Sequence, residues 1–478
     1  MHQSPQTLIH GGSRFHLPRI LRQRWRWLAL GAAALLVSVT SLTAFTYLHQ
    51  PGETASAMLQ VDSLPTGATV EVDGRGRGET PLVLALSERE HVVVLRRPGA
   101  ADALYAVTPN ADVTITLQAD LWRRSPQLER LRPALPGASI QHADFLADGR
   151  AVLIPSLPPG DERQAWLLAD GGQMERVGPP IIQGSLAVSP DGQRVAYLAR
   201  GDAKGPTPVL DEVWIAPAHG ERGERRYRLP PSIMGETLVD LAWSRDGQGL
   251  LLVSRQRLSG GGTRSLLRWL PSGSTQPRDL VSLPSDIVPG SFLWSPSGHA
   301  VAFLTQSGSQ TALCRLDIET GQLRYLADVQ DGDAHPFPMP PIAWAPDGEH
   351  LLYTAPPQGH SGQGGWLLGG KPQPSLFLAS PEDPGGRRLA ETEARFPVWR
   401  PDGSLLALAS GKRGLVLRAF TPAGTAWDVG DIPLDVTVYA VRWDPAHAQA
   451  ILALRPRGSW SPAQTEYWLA RWQPEEAR

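Results

Sequence analysis

Three stretches of this chain carry residue types that could do chemistry. "GHSGQGG" at 359–365 sets Ser361 between glycines, as an acyl-transfer nucleophile on a tight turn would require. That motif reads G-x-S-x-G, however, and the fifth residue here is Gln363. The surrounding segment is glycine-rich and shows no strand–helix alternation, so a loop is expected. "DVQDGDAHP" gathers Asp328, Asp331, Asp333 and His335, which could donate to a cation, but the spacing lacks the 1, 3, 5 oxygen pattern of a calcium loop. A solvated acidic loop is the expectation. The twelve histidines are scattered, with no H-x-x-x-H or H-E-x-x-H pair. The third candidate is Asp347 in "IAWAPDGEHLLYTA", an acid beside an aromatic.

Asp347 is one of a series. Asp148, Asp191, Asp246, Asp347 and Asp402 each precede a glycine at a similar place in a recurring segment. Catalysis rarely uses five copies of one acid, whereas a repeated turn does. Asp-Gly makes a tight reversal because glycine accepts positive φ and the carboxylate bonds nearby backbone N–H groups. No catalytic, cofactor-binding or metal-ligating residue is therefore assigned, no cofactor is expected, and the chain is not expected to be an enzyme. The one cysteine, Cys314, sits in the alternating run "TALCRLDI" and reads as a buried thiol rather than a nucleophile.

The recurring segments begin at 142, 185, 240, 291, 341, 396 and 439, for example "SLAVSPDGQRVAYLA" and "DLAWSRDGQGLLLVS". Their turn glycines fall at 149, 192, 247, 298, 348 and 403, with Ala448 standing in the seventh, at steps of 43 to 55 residues. Seven copies at that period predict a seven-bladed β-propeller over 119–478, each copy opening one four-stranded blade. Trp243, Trp294, Trp344, Trp399 and Trp443 share one register and are expected to fill space between blades. "DEVWIAP", "SLLRWLP" and "LVLRAFTP" are outer-strand candidates, and "DPAHAQ" predicts a longer seventh turn. The pattern W-S-P-D-G-x-x-L-A-Y resembles the TolB-type, WD-repeat-like propellers of exported bacterial proteins. Prolyl-oligopeptidase-like enzymes carry a similar propeller, but no α/β domain surrounds Ser361 to complete one. After the last inner hairpin only "TEYWLARW" (465–472) remains as an outer strand. The missing fourth strand is expected from 119–135, within "LWRRSPQLERLRPAL", which would pair with 465–472 and close the ring.

Upstream, residues 58–118 contain short alternating runs ("MLQVDS", "TVEVDG", "LVLAL", "HVVVLRR", "DVTITLQ") separated by Pro, Gly and Asp turns, which predicts a small β-sandwich. Asp73-Gly74, Gly76 and Gly78 are read as positive-φ positions. Pro65-Thr66-Gly67-Ala68, Val70-Glu71-Val72-Asp73-Gly74 and Gly78-Glu79-Thr80-Pro81 resemble the hallmarks of the PEGA domain, with Thr66 where that family has glutamate. The resemblance implies a non-enzymatic extracytoplasmic module beside a membrane anchor.

Such an anchor is legible. Residues 28–48 run without a charge, enough to cross a hydrocarbon core of roughly 30 Å as a helix. Arg14, Arg19, Arg22, Arg24 and Arg26 precede them, and no Lys or Arg follows until Arg75. The positive-inside bias places a basic tail, 1–27, in the cytoplasm and everything beyond the 49–57 linker outside. "ASA" at 55–57 offers a cleavage site, but the apolar run is longer than a signal peptide uses, so an uncleaved signal anchor is expected.

The 478 residues carry a formal net charge of -2, with 41% apolar and 19% charged residues. A packed core is affordable, and a nucleic-acid binder relying on a basic face is excluded. The 45 Lys and Arg are almost all Arg, a skew attributed to base composition. The reading is a single-pass bacterial cell-envelope protein, all-β apart from its anchor, that binds a protein, peptide or glycan as a scaffold or sensor. The alternatives are a hydrolase or lyase working in the propeller channel and a structural surface-layer component. Inward-facing carboxylates, His and Arg would favour an enzyme, while a channel of small and apolar groups would count against one. Loops 201–210, 256–264 and 356–374 are expected to differ most from a bare propeller.

Overall fold

The computed structural model describes residues 57–473 apart from connecting segments, the longest being 201–210, 330–341 and 356–374. The described chain is all-β, with a single-turn 3-10 segment at Pro445–His447. No helix among the described residues is long and apolar enough to cross a membrane, and the 28–48 segment lies outside them.

The chain divides into two compact units. Of the described residues, the first holds those from Ala57 to Val61, Pro81–Glu90 and Thr108–Leu117. In it Ala57–Val61 pairs antiparallel with Leu82–Leu86. Alternation sets the faces: Ala57, Leu59 and Val61 are buried while Met58 is exposed.

The second unit holds Asp62–Thr80, His91–Val107 and Gln118–Arg478. It opens with a four-stranded sheet in the spatial order Arg75–Glu79, Thr69–Val72, His91–Arg96, Ala103–Val107. Neither outer strand is among the runs singled out from the sequence: Arg75–Glu79 has no apolar face, whereas Ala103–Val107 (ALYAV) is wholly apolar and buried at four of its five positions. Arg75–Glu79 exists because Asp73 (φ 50) and Gly74 (φ 75) form a two-residue turn with both residues left-handed, which matches strand twist and returns the chain onto Thr69–Val72. Gly78 is left-handed as expected, but Gly76 is not among the positive-φ residues, because the bulge in this hairpin falls beside it.

Seven more sheets follow in chain order. Their first strands are Ser139–Phe145, Leu186–Val188, Thr237–Trp243, the split pair Asp286–Ile287 and Leu293–Trp294, Ile342–Trp344, Arg395–Trp399 and Val436–Asp444. The second strand of each sheet, such as Gly249–Arg257 or Gln449–Pro456, is a near-continuous buried run because neighbours cover both its faces. Hydrophobic clusters join sheet one to two, two to three and so on to seven, and a further cluster joins seven back to one. The core therefore lies between sheets, in a closed cycle. Sheet seven takes three strands from the chain's end and its fourth from Gln127–Leu131, which pairs with Glu466–Arg471 in the register Leu128↔Ala470 and Leu131↔Tyr467.

The shared tryptophan register has a common role. Trp243, Trp344 and Trp443 donate Nε1–H to Ala187, Leu293 and Phe396 carbonyls, each on the first strand of the preceding sheet, at 3.0 to 3.1 Å. Trp294 packs edge-on against Trp269 of sheet three, and Trp399 packs on the core shared with sheet five. The turn glycines 149, 192, 247, 298, 348 and 403 are all left-handed. Ala448 takes the same conformation (φ 48) one position later than the turn glycines, yet Trp443 pairs with Ala450 just as Trp344 pairs with Leu351, so the seventh reversal has the length of the fifth and is not the longer turn expected. The stretch 256–264 is the end of a hairpin, with Arg257 opposite Thr263, and not an open loop.

Candidate functional site

Asp148, Asp191, Asp246, Asp347 and Asp402 all accept the backbone N–H two residues on, those of Arg150, Gln193, Gln248, Glu349 and Ser404, at 2.8 to 3.1 Å. Asp347 also accepts from His350 N–H at 3.0 Å and faces the His350 ring at 2.7 Å. Partial burial works to raise its carboxyl, but these N–H groups and the ring hold it below the usual carboxylate range. A carboxylate so occupied is a turn cap. Asp347 is a corner.

Asp402 has the same motif and a second task. Its side chain is 2% exposed and accepts the Tyr105 hydroxyl at 2.7 Å and the Asp120 N–H at 3.0 Å. Arg400, whose side chain is fully buried, approaches to 3.6 Å and donates to the Asp120 carbonyl and to Ser404 Oγ. Burial works to raise the Asp402 carboxyl, but Arg400, Ser404 and Tyr105 hold it below the usual range. One corner of sheet six is thus tied to residues that belong to the small module.

The other chemistry-bearing stretches do not assemble. Residues 359–365 lie outside the described residues, as do Asp331, Asp333 and His335. Asp328 accepts the hydroxyl of Tyr325. Cys314 is buried, and burial pushes its thiol up, so it is unreactive. Among the described residues no three His, Cys, Asp or Glu are placed to hold a metal ion.

A polar cluster that the sequence reading did not single out forms on the first strands. Three residues before the repeat's aromatic position stand His142, Ser185 and Asp240 in the first three copies. The Ser185 hydroxyl donates to Asp240 Oδ1 at 2.6 Å, Leu241 N–H donates to the same oxygen at 2.9 Å, and Gly290 N–H reaches Oδ2 at 2.6 Å. One carboxylate so links sheets two, three and four. Burial raises the Asp240 carboxyl, and these bonds only partly offset it.

One residue before the aromatic position, sheets one and seven carry Asp144 and Arg442. Arg442 Nε and Nη2 grip the two Asp144 oxygens at 2.8 and 2.6 Å, a bidentate pair between residues 298 apart in the chain. Burial works against the Asp144 charge, but Arg442 outweighs it and holds the carboxyl low. The same repeat position in sheets two to six is Ala187, Ala242, Leu293, Ala343 and Val398.

His142 stands 3.9 Å from Asp144, with its side chain 27% exposed. Burial lowers its pKa most strongly, Asp144 and Asp240 oppose that, and Arg442 adds to it, so the ring is neutral at pH 7. The cluster therefore offers two carboxylates whose oxygens are already bonded and one neutral imidazole within reach of solvent.

Residues 56–125 match the PEGA domain. The PEGA module so defined covers both sheets that precede the cycle and ends just short of the closing strand. No curated protein matches the chain. Among solved structures, the chain is similar to an oligogalacturonate lyase from Vibrio parahaemolyticus (12% identity, 73% of this chain and 98% of that chain covered, TM-score 0.45). It is also similar to the β-propeller domain of the Trilobed protease from Pyrococcus furiosus (12% identity, 70% and 95% covered, TM-score 0.41). TolB from Acinetobacter baumannii is a third (15% identity, 67% and 79% covered, TM-score 0.29). None of these likenesses bears on activity.

Proposed function

We propose that this chain is a membrane-anchored, extracytoplasmic binding or scaffold protein of the bacterial cell envelope. Residues 28–48 are its single-pass anchor, with the N-terminus cytoplasmic. The seven sheets are the blades of a WD-repeat-like propeller that engages an envelope protein, peptide or glycan along its faces and channel. One observation carries the choice of binding over catalysis: the acids of the first-strand cluster are committed to one another's partners. Arg442 occupies both oxygens of Asp144, and Ser185, Leu241 and Gly290 occupy those of Asp240. Hydrogen bonds to a carboxylate lower its basicity and nucleophilicity, and the Arg442 fork holds the Asp144 carboxyl low. The alanines, Leu293 and Val398 at the Asp144 position offer shape without reactivity.

The opposite reading, a hydrolase or lyase, is favoured by the composition of the cluster, which unites carboxylates, Arg and a neutral His142. Full-length protein in nanodiscs, incubated with an envelope fraction, separates the two. A binder retains its partner intact and in fixed ratio, and His142→Ala alters retention alone. Release of shortened glycan or peptide at a rate that His142→Ala abolishes would overturn the binding reading.

The orientation has its own check. Protease added to spheroplasts is expected to digest the 57–478 region while an N-terminal tag ahead of Arg14 survives. Survival of the propeller region in intact spheroplasts would contradict an outward orientation.

A further inference from the structure

The packing between the PEGA module and the last two sheets is far more extensive than tethering requires. Val94, Ala101 and Leu104 of the module share one hydrophobic core with sheets six and seven. Trp122, just past the module's last strand, Thr114–Asp120, is fully buried against Trp443 and Trp472, with ring centroids 6.1 and 6.0 Å away. The backbone is stitched on both sides of it. Ala101 N–H donates to the Trp122 carbonyl at 2.8 Å, and Arg123 N–H donates to the Trp472 carbonyl at 2.7 Å. Arg124 N–H reaches Gly99 O at 2.9 Å, while Asp431 N–H of sheet six reaches Arg124 O at 3.1 Å. Gly430 is fixed as glycine by the same approach, because a Cβ there would lie 2.5 Å from the Arg124 carbonyl oxygen. Asp402 adds the tie to Tyr105 and Asp120 described above.

We infer that the PEGA module is the clasp of the cycle: its four-stranded sheet unfolds together with sheets six and seven as one cooperative body, and it presents the strand that closes sheet seven. Only residues 121–126 separate the module's last strand from Gln127–Leu131. A module that loosens therefore withdraws Trp122 and the closing strand with it. The coupling is reciprocal, so a ligand that binds either the module or the propeller stabilises both. The inference is independent of what the propeller binds.

The sequence supplies a one-sided reporter. No tryptophan lies between residues 28 and 121, so in a Trp25→Phe, Trp27→Phe background all tryptophan fluorescence comes from Trp122 and beyond. Leu95 is fully buried in the module and is not part of the core shared with sheets six and seven. In the full-length chain, Leu95→Ala is expected to lower the thermal midpoint read by tryptophan fluorescence by several degrees, coincident with the midpoint read by circular dichroism. Tyr105→Phe, which removes one hydroxyl and leaves the fold intact, is expected to shift both midpoints together by a smaller amount. A tryptophan transition that stays at the parental midpoint while a separate transition moves would make the module an independent bead and overturn the inference.

Discussion

A chain ending at Gln464 does not close its cycle. Removing 465–478 deletes Glu466–Arg471, the strand that pairs on one side with Gln449–Pro456 and on the other with Gln127–Leu131. It also removes Tyr467, Leu469 and Trp472, which are 3%, 1% and 0% exposed. Burial of each such side chain is worth about 1.5–3 kcal/mol, so the three together represent roughly 5–9 kcal/mol. That is comparable to the whole stability of an ordinary domain, about 5–15 kcal/mol. Further losses follow: Ile140 N–H loses its bond to the Tyr467 hydroxyl, and Trp122 loses the ring it stacks on. The thermal midpoint is expected to fall by at least about 10 °C. An unchanged melt by circular dichroism would show that the two ends of the chain do not hold each other.

The second large effect separates two acids that look alike in sequence. Asp402→Ala is expected to destabilise the protein by about 3–5 kcal/mol, the usual cost of leaving a buried guanidinium, here Arg400, without its carboxylate. Asp347→Ala removes only turn-capping bonds from a side chain that is 50% exposed and is expected to cost about 1 kcal/mol or less. Chemical denaturation of the two variants checks the contrast, and equal losses would contradict the different roles. The pH dependence follows from the same geometry. The Asp402 carboxyl is held below its unfolded value, so its stabilisation is present at neutral pH and is lost as pH falls through the depressed folded value.

The turns were legible because a reversal between paired strands demands a left-handed residue, and glycine after Asp or Ser announces it locally. All six turn glycines and Ala448 have that conformation. The tryptophan register was legible for a similar reason, since one bulky position recurring once per repeat implies a shared neighbour. Arg75–Glu79 was not legible, because Arg and Gly alternate there without an apolar face. The second task of Asp402 was hidden too: Pro-Asp-Gly reads the same at 401–403 and at 346–348, and only docking of Tyr105 and Asp120 distinguishes them. The first-strand cluster was harder still. Each sheet contributes one or two residues to it, and Asp144 meets Arg442 only after the cycle closes. A signal did exist in the repeats: aligned on their aromatic position, they show charged residues in copies one and seven where the other five have Ala, Leu or Val.

Closure of the cycle and commitment of its acids meet in that pair, so its coupling energy is the most direct test. The stabilities of Asp144→Ala, Arg442→Ala and the double variant form a closed thermodynamic cycle. Water screens Asp144, whose side chain keeps 38% of its surface, so the expected coupling is about 1–2 kcal/mol. Either single variant should then cost nearly as much as both together. Strictly additive losses would mean that Asp144 and Arg442 do not hold each other, leaving the carboxylate free and the closed, committed cluster contradicted.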